Sequence, residues 1–183
     1  MLAVQLAAIG HKLILQDMDM VSTVNIGTQG FKLNQIGKSK VDATTELIKE
    51  FFGEPVYLTE ERIFNIGDYT YPIVMVCVDN MNTRKDIFDS WVKQPDRELL
   101  LEARMSAESF DLYVVTKETE ERYKEYLYDE SEIMEAPCTY KATRFLASIL
   151  QGFYVQVLCN YLSEFPLGFK LSYNGPINDI QWI

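Results

Sequence analysis

The sequence predicts an α/β fold built on a mostly parallel sheet, with antiparallel strands toward the C-terminus and the first strand missing. Three observations carry that reading. Leu13–Gln16 (LILQ) is an apolar-rich run that stops at an acidic pair, Asp17 and Asp19, as a buried strand does when it reaches a sheet edge. Ile73–Val78 is an unbroken apolar run that ends in Asp79, which predicts a central strand covered on both faces. Around these runs lie segments with helical spacing, so strands and helices alternate.

The missing first strand follows from counting. In a nucleotide-binding βαβ unit, an acid at the end of the second strand hydrogen-bonds the ribose, about 20 residues after a glycine-rich phosphate loop. Counting back from Asp17 runs past Met1 before any such loop is met. Leu2, Leu6 and Ile9 fall at helical spacing and Gly10 supplies a stop, so the chain reads as a three-layer, Rossmann-like fold entered inside its first helix. An apolar strand and a G-x-G-x-x-G-like turn are expected upstream of Met1; a naturally short form is the alternative.

Length and composition bound the remaining possibilities. At 183 residues the chain is long enough for one domain with a substantial core. A hydrophobic fraction of 48% with 13% aromatic residues predicts a globular chain. The net charge of -10 leaves no basic stripe for a nucleic-acid partner. Cys77, Cys138 and Cys159 form no C-x-x-C pair, so no zinc is expected. Met1–Gly10 lacks the basic segment and cleavage site of a signal peptide, which makes the cytoplasm the default compartment. The apolar segment Thr139–Leu162 carries Lys141, Arg144, Gln151, Gln156 and Asn160, so no membrane span is expected.

His11, the single histidine, reads as a turn residue. Met20–Gly37 reads as a polar loop. Ser39 is placed to cap a helix through Phe52, with Val41, Thr45, Ile48 and Phe51/Phe52 on one face. Lys40 falls in the first turn, where the helix dipole opposes a cation. Pro55–Phe64 reads as a strand and Gly67–Tyr71 as a turn. Cys77, inside the apolar run, reads as an inert core thiol. Asp79 stands where open α/β sheets bind ligands; it could hold Mg²⁺ between phosphate oxygens or cap a helix over Asn82–Val92. Arg84 faces the same edge.

Glu98–Ala103 and Phe110–Thr116 read as neighbouring, hairpin-like strands. Glu118–Tyr128 reads as an amphipathic helix with Glu120 and Lys124 paired at i,i+4, followed by an acidic turn, Asp129–Glu135. A helix over Thr139–Leu162 would put Cys138 at its N-terminus, where the dipole lowers a thiol's pKa. Acidic residues upstream oppose that effect, and Lys141 and Arg144 partly offset them. Phe165–Tyr173 and Ile177–Ile183, split by Asn174-Gly175-Pro176, read as a terminal β pair.

Taken in order, the acid-x-acid at Asp17 and Asp19, Asn25, Gln29, Gly37-Lys38-Ser39-Lys40-Val41 and Asp79-Asn80-Met81-Asn82-Thr83-Arg84 resemble the ThiF/MoeB/HesA family. Its fold is shared with ubiquitin-activating enzymes. Ala103-Arg104-Met105-Ser106-Ala107-Glu108 and Ala136-Pro137-Cys138-Thr139 are similar to the same family. The resemblance spans roughly Leu2 to Leu171 and implies one ThiF-like domain over residues 1–183, incomplete at its N-terminus.

It also implies an adenylyltransferase that uses ATP and Mg²⁺ to activate the C-terminal carboxylate of a ubiquitin-like or sulfur-carrier protein. By that resemblance Asp17, Asp19, Asn25, Gln29, Lys40, Asp79 and Arg84 bind the nucleotide, and Asp79 also holds the metal and serves catalysis. Cys138 is the candidate acceptor of the acyl group. A homodimer or heterodimer is expected, to which the long C-terminal helix contributes. One departure bears on activity: the family's N-x-x-R-Q is Asn25-Ile26-Gly27-Thr28-Gln29 here, and a hydroxyl cannot replace the arginine's forked bonds to phosphate. The alternative is therefore a non-catalytic or truncated ThiF-like subunit that dimerises with a complete enzyme. A nicotinamide-dependent dehydrogenase is the weakest reading, because it leaves G-K-x-K-V and D-N-x-x-T-R unexplained.

Overall fold

The structure, a computed structural model, describes residues 1–53, 58–61, 71–106, 108–128 and 143–183. The chain forms two compact units, residues 1–65 with 147–155 and residues 66–146 with 156–183.

The first unit begins with helix α1 (Leu2–Ala8), which has no side-chain cap at Met1. Gly10 ends it at φ +86, a conformation that only glycine adopts without strain. Strand β1 (Leu13–Gln16) pairs in parallel with β2 (Leu58–Glu61), from Leu13↔Leu58 to Gln16↔Glu61. Helix α3 (Lys40–Phe52) starts as predicted, with the Ser39 hydroxyl accepting from Asp42 N at 3.0 Å. Between β1 and α3 the expected plain loop instead holds a short helix, α2 (Thr23–Thr28), and a 3-10 turn at Leu33–Gln35. Ser22 and Asn25 close a capping box at the start of α2, a local signal that overrides the polar composition.

The core of this unit is Val4, Leu47 and Ile48, with Ala3, Ala7, Leu13, Leu15 and Phe31 packed against it. Burying a leucine or isoleucine side chain stabilises by about 1.5–3 kcal/mol, so α1 and α3 together hold one face of β1. The other expectations for these elements need correction. β1 is only half-buried along its length, because it has a hydrogen-bonded neighbour on one side among the described residues. Phe51 and Phe52 are exposed, since α3 packs through Val41, Ala43, Thr45, Leu47 and Ile48.

The second unit carries a five-stranded sheet in the order β3 (Ile73–Val76), β4 (Leu99–Met105), β5 (Ser109–Val115), β6 (Lys170–Asn174), β7 (Asp179–Trp182). β3 and β4 are parallel; the other pairs are antiparallel. The predicted hairpin and the terminal β pair are both present. Cross-strand register puts Leu101, Val114, Leu112, Leu171 and Tyr173 on the apolar face. The opposite face carries Glu102, Arg104, Asp111 and Tyr113. β3 is an edge strand among the described residues and stops at Val76, with only Val74 and Val76 fully buried. Cys77 therefore lies beyond the strand and is exposed, not a core thiol.

Helix α4 (Met81–Val92) is capped by Asn80, whose Oδ1 accepts from Thr83 N at 2.8 Å, so Asp79 is not the cap. Helix α5 is confined to Glu120–Lys124. The expected Glu120–Lys124 pair does not form: Lys124 bonds Glu121, and Glu120 takes a forked ion pair from Arg97 at 2.9 and 3.1 Å. Arg97 wins because its planar fork matches both carboxylate oxygens. Helix α6 (Thr143–Leu162) buries Leu146, Leu150, Tyr154, Val157 and Leu158. By length and composition Arg144–Leu162 could cross a membrane, a property that core helices share. The expected strand over Pro55–Phe64 is described only at 58–61. The Gly67–Tyr71 turn before Tyr71, the acidic turn and Cys138 lie outside the described residues.

Candidate functional site

The carboxyl end of β1 meets the N-terminus of α3, and local chemistry fixes the junction. Asp19 N donates to Asp17 Oδ1 at 2.8 Å, turning the chain directly after the strand. Lys40 N donates to Asp19 O at 2.9 Å, and Val21 N to Lys38 O at 2.8 Å. The whole excursion through α2 is thus tied at its base. Gly37, at φ +85, makes the reversal needed for its N–H to reach Val21 O.

Three of the predicted residues come together at this corner. Lys40 Nζ lies 2.6 Å from Asp19 Oδ2 and 4.0 Å from Asp17 Oδ2. The Lys40 side chain is 16% exposed, while Asp19 is 59% exposed. The acids offset the dipole that opposes a cation at a helix N-terminus. A lysine held this way has a compact charge and three donors, and its partners are themselves wet. Such a pair opens at little cost when a stronger anion arrives.

Asn25 and Gln29 lie on and just after α2. The Asn25 side chain accepts from Ser22 N at 2.8 Å and Ser22 Oγ at 2.9 Å, so its oxygen is occupied by capping. Gln29 is exposed at the end of the helix. The Thr28 hydroxyl bonds Val24 O at 3.0 Å, so no cation stands at that position.

Asp79 and Arg84 belong to the second unit. Asp79 is exposed just past the carboxyl end of β3, and its carboxylate has no hydrogen-bond partner among the described residues. Arg84 is buried at 8% exposure. Its Nε lies 2.7 Å from Glu102 Oε1, Nη2 donates to Val78 O at 2.6 Å and Nη1 to Asp79 O at 3.4 Å.

Sequence reasoning missed the group around Glu102. This carboxylate is wholly buried, yet accepts from Arg104 Nε at 2.9 Å and from Tyr123 OH at 3.0 Å besides pairing with Arg84. Arg104 also donates to Tyr126 O at 2.7 Å and lies over the Tyr113 ring. Burial pushes the Tyr123 phenol well above its usual range, and the Glu102 charge adds to that shift. For Arg104, burial works against the charge but Glu102 outweighs it, so the guanidinium stays firmly protonated. One signal was available: Glu102 follows Leu99–Leu101, and Arg104 shares its face two residues on.

No group of three His, Cys, Asp or Glu side chains that could hold a metal ion occurs among the described residues. A magnesium ion fits a single carboxylate of the Asp79 kind, because it takes most ligands from phosphate and water.

The ThiF family profile matches residues 1–181, and no curated protein matches. Escherichia coli MccB, solved with AMPCPP and selenomethionine MccA, superposes with a TM-score of 0.69 at 15% identity, over 100% of this chain and 59% of that one. MccB with MccA-N7isoASN gives a TM-score of 0.73 at 14% identity, over 100% of this chain and 60% of that one. PaaA gives 0.61 at 17% identity, over 98% of this chain and 67% of that one. The chain spans about three-fifths of the MccB length. On its sequence profile and on its Rossmann-like α/β fold, the chain belongs to the ThiF family.

Proposed function

We propose that the chain is the nucleotide-binding part of an adenylyltransferase-like protein that activates the C-terminal carboxylate of a small ubiquitin-like or sulfur-carrier protein. The observation that carries this reading is the Lys40 ammonium held by Asp19 and Asp17 at the carboxyl end of a parallel strand. Ligands of open α/β sheets bind at such ends. The structural neighbours add support at the level of kind: MccB has been solved with ATP and, separately, with MccA.

In the proposed reaction a carboxylate oxygen attacks the α-phosphorus of ATP, an acyl-adenylate forms, and the bond to the leaving pyrophosphate breaks. Positioning and charge neutralisation supply the catalysis. Asp17 accepts from the ribose hydroxyls, with Asp19 beside it. Lys40 transfers its contact from Asp19 to the phosphates. Asn25 and Gln29 offer amides from α2, and Asp79 would hold Mg²⁺, which neutralises phosphate charge when bound. Arg84 serves the same strand end. Cys138 would take the acyl group as a thioester, releasing AMP. A homodimer or heterodimer completes the proposal.

The alternative, a non-catalytic partner subunit, draws on Thr28, whose hydroxyl is spent on Val24 O. Thr28, standing where the family has an arginine, forfeits one charge-assisted phosphate contact and weakens binding by roughly one to two orders of magnitude.

The 183-residue chain should therefore bind ATP only at about millimolar strength and show no ATP–pyrophosphate exchange. Thr28→Arg should raise the affinity, and Lys40→Ala should remove the gain. Calorimetry finding micromolar, Mg²⁺-dependent binding by the unsubstituted chain would overturn this account. For Cys138, a mild alkylating reagent at neutral pH should label it ahead of Cys77 and Cys159; equal or slower labelling would make it structural.

A further inference from the structure

Asp79 stands on a short link between β3 and α4, and that link is held from below. Glu102 lies beside Val76, the last residue of β3, in the parallel register of the two strands. Its Oε1 lies 2.7 Å from Arg84 Nε, an ion-pair contact outside hydrogen-bond geometry. The remaining guanidinium nitrogens reach the carbonyls of Val78, at 2.6 Å, and Asp79, at 3.4 Å. A guanidinium presents its donors in one rigid plane, so one anchored edge sets the direction of the others. Glu102 is itself fixed by Arg104 and Tyr123. From above, Asn80 caps α4 through Thr83 N. With two successive carbonyls turned inward, the Asp79 carboxylate is left exposed, with no partner among the described residues.

We infer that Glu102 and Arg84 are positioning residues: Glu102 orients the Arg84 guanidinium, which holds the Val78 and Asp79 carbonyls and so presents the Asp79 carboxylate for a phosphate-bound divalent cation. The inference rests on the proposed metal role of Asp79. Arg84 acts here through the main chain and does not itself touch the ligand. Lysine in its place would keep the charge but could not span Glu102 and two carbonyls at once.

The test uses the full chain with ATP and Mn²⁺ as the probe, read by paramagnetic broadening of the Val78, Asp79 and Asn80 amides and by the gain in ATP affinity on adding Mn²⁺. Asp79→Ala should abolish that gain. Arg84→Lys and Glu102→Gln should each reduce it about tenfold, the usual effect of removing a partner that orients a ligand. That loss should far exceed any change in metal-free ATP affinity, a split that general destabilisation would not produce. If Glu102→Gln does not fold, as judged by its melting curve, Arg84→Lys carries the comparison. An Asp79→Ala loss with an intact Mn²⁺ response in folded Arg84→Lys and Glu102→Gln would overturn the positioning role and leave the metal reading standing. An intact response in Asp79→Ala would overturn both.

Discussion

Two charged centres in this chain use the same chemistry to opposite ends. At the β1–α3 corner, Lys40 pairs with acids that stay largely in water. Around Glu102, two arginines and a tyrosine close on a carboxylate with no exposed surface. An exposed pair contributes about 0–1 kcal/mol and can be exchanged for a ligand. A buried carboxylate stripped of its partners costs several kcal/mol, so those partners cannot leave. Burial thus separates charge available for binding from charge committed to shape.

The largest predicted effect comes from the buried centre. Glu102→Ala leaves two guanidiniums without their anion and should destabilise the fold by about 3–5 kcal/mol in chemical denaturation. A loss below about 1 kcal/mol would erase the contrast with the corner.

Tyr123→Phe removes one donor to Glu102 while Arg84 and Arg104 remain, and should cost about 1.5–3 kcal/mol, the worth of a hydrogen bond to a charged group. The same residue gives the comparison a pH signature. Its phenol is raised by burial and by Glu102, so the folded state stays protonated where the unfolded state ionises. That contribution is complete below the unfolded value of about 10 and is lost as pH rises above it. Wild-type stability should fall in this alkaline range, and Tyr123→Phe should flatten the fall; an unchanged slope would mean the phenol does not report on Glu102.

These differences follow what a sequence makes visible. The Ser39 cap, the 3.6-residue period of α3 and the β4–β5 and β6–β7 pairs depend on neighbours in the chain, and they were legible. So was the corner, because an acid closing an apolar run and a lysine after a cap are local patterns. The ends of β3 and α5 were not, because tertiary packing decides where strands and helices stop. Phe51 and Phe52 continue the apolar period of α3 but outrun the surface that covers it. The Glu102 centre joins residues from β4, α4 and α5, and a glutamate in a strand looks like a solvated one until its partners fold onto it. Asn25 likewise matched a binding motif while its side chain serves as a cap.

The smallest effect on stability is expected at Lys40, and there the account's central claim is most directly exposed. Lys40→Ala should shift the unfolding free energy by less than about 1 kcal/mol. The deciding measurement is an ATP titration with Mg²⁺, followed by amide shifts of residues 17–21 and 38–41 in wild type and Lys40→Ala. Wild type should give saturating shifts in the millimolar range, and the variant should lose about tenfold to a hundredfold in affinity, the worth of one charge-assisted phosphate contact. Equal titrations in the two proteins would show that the corner does not face the nucleotide.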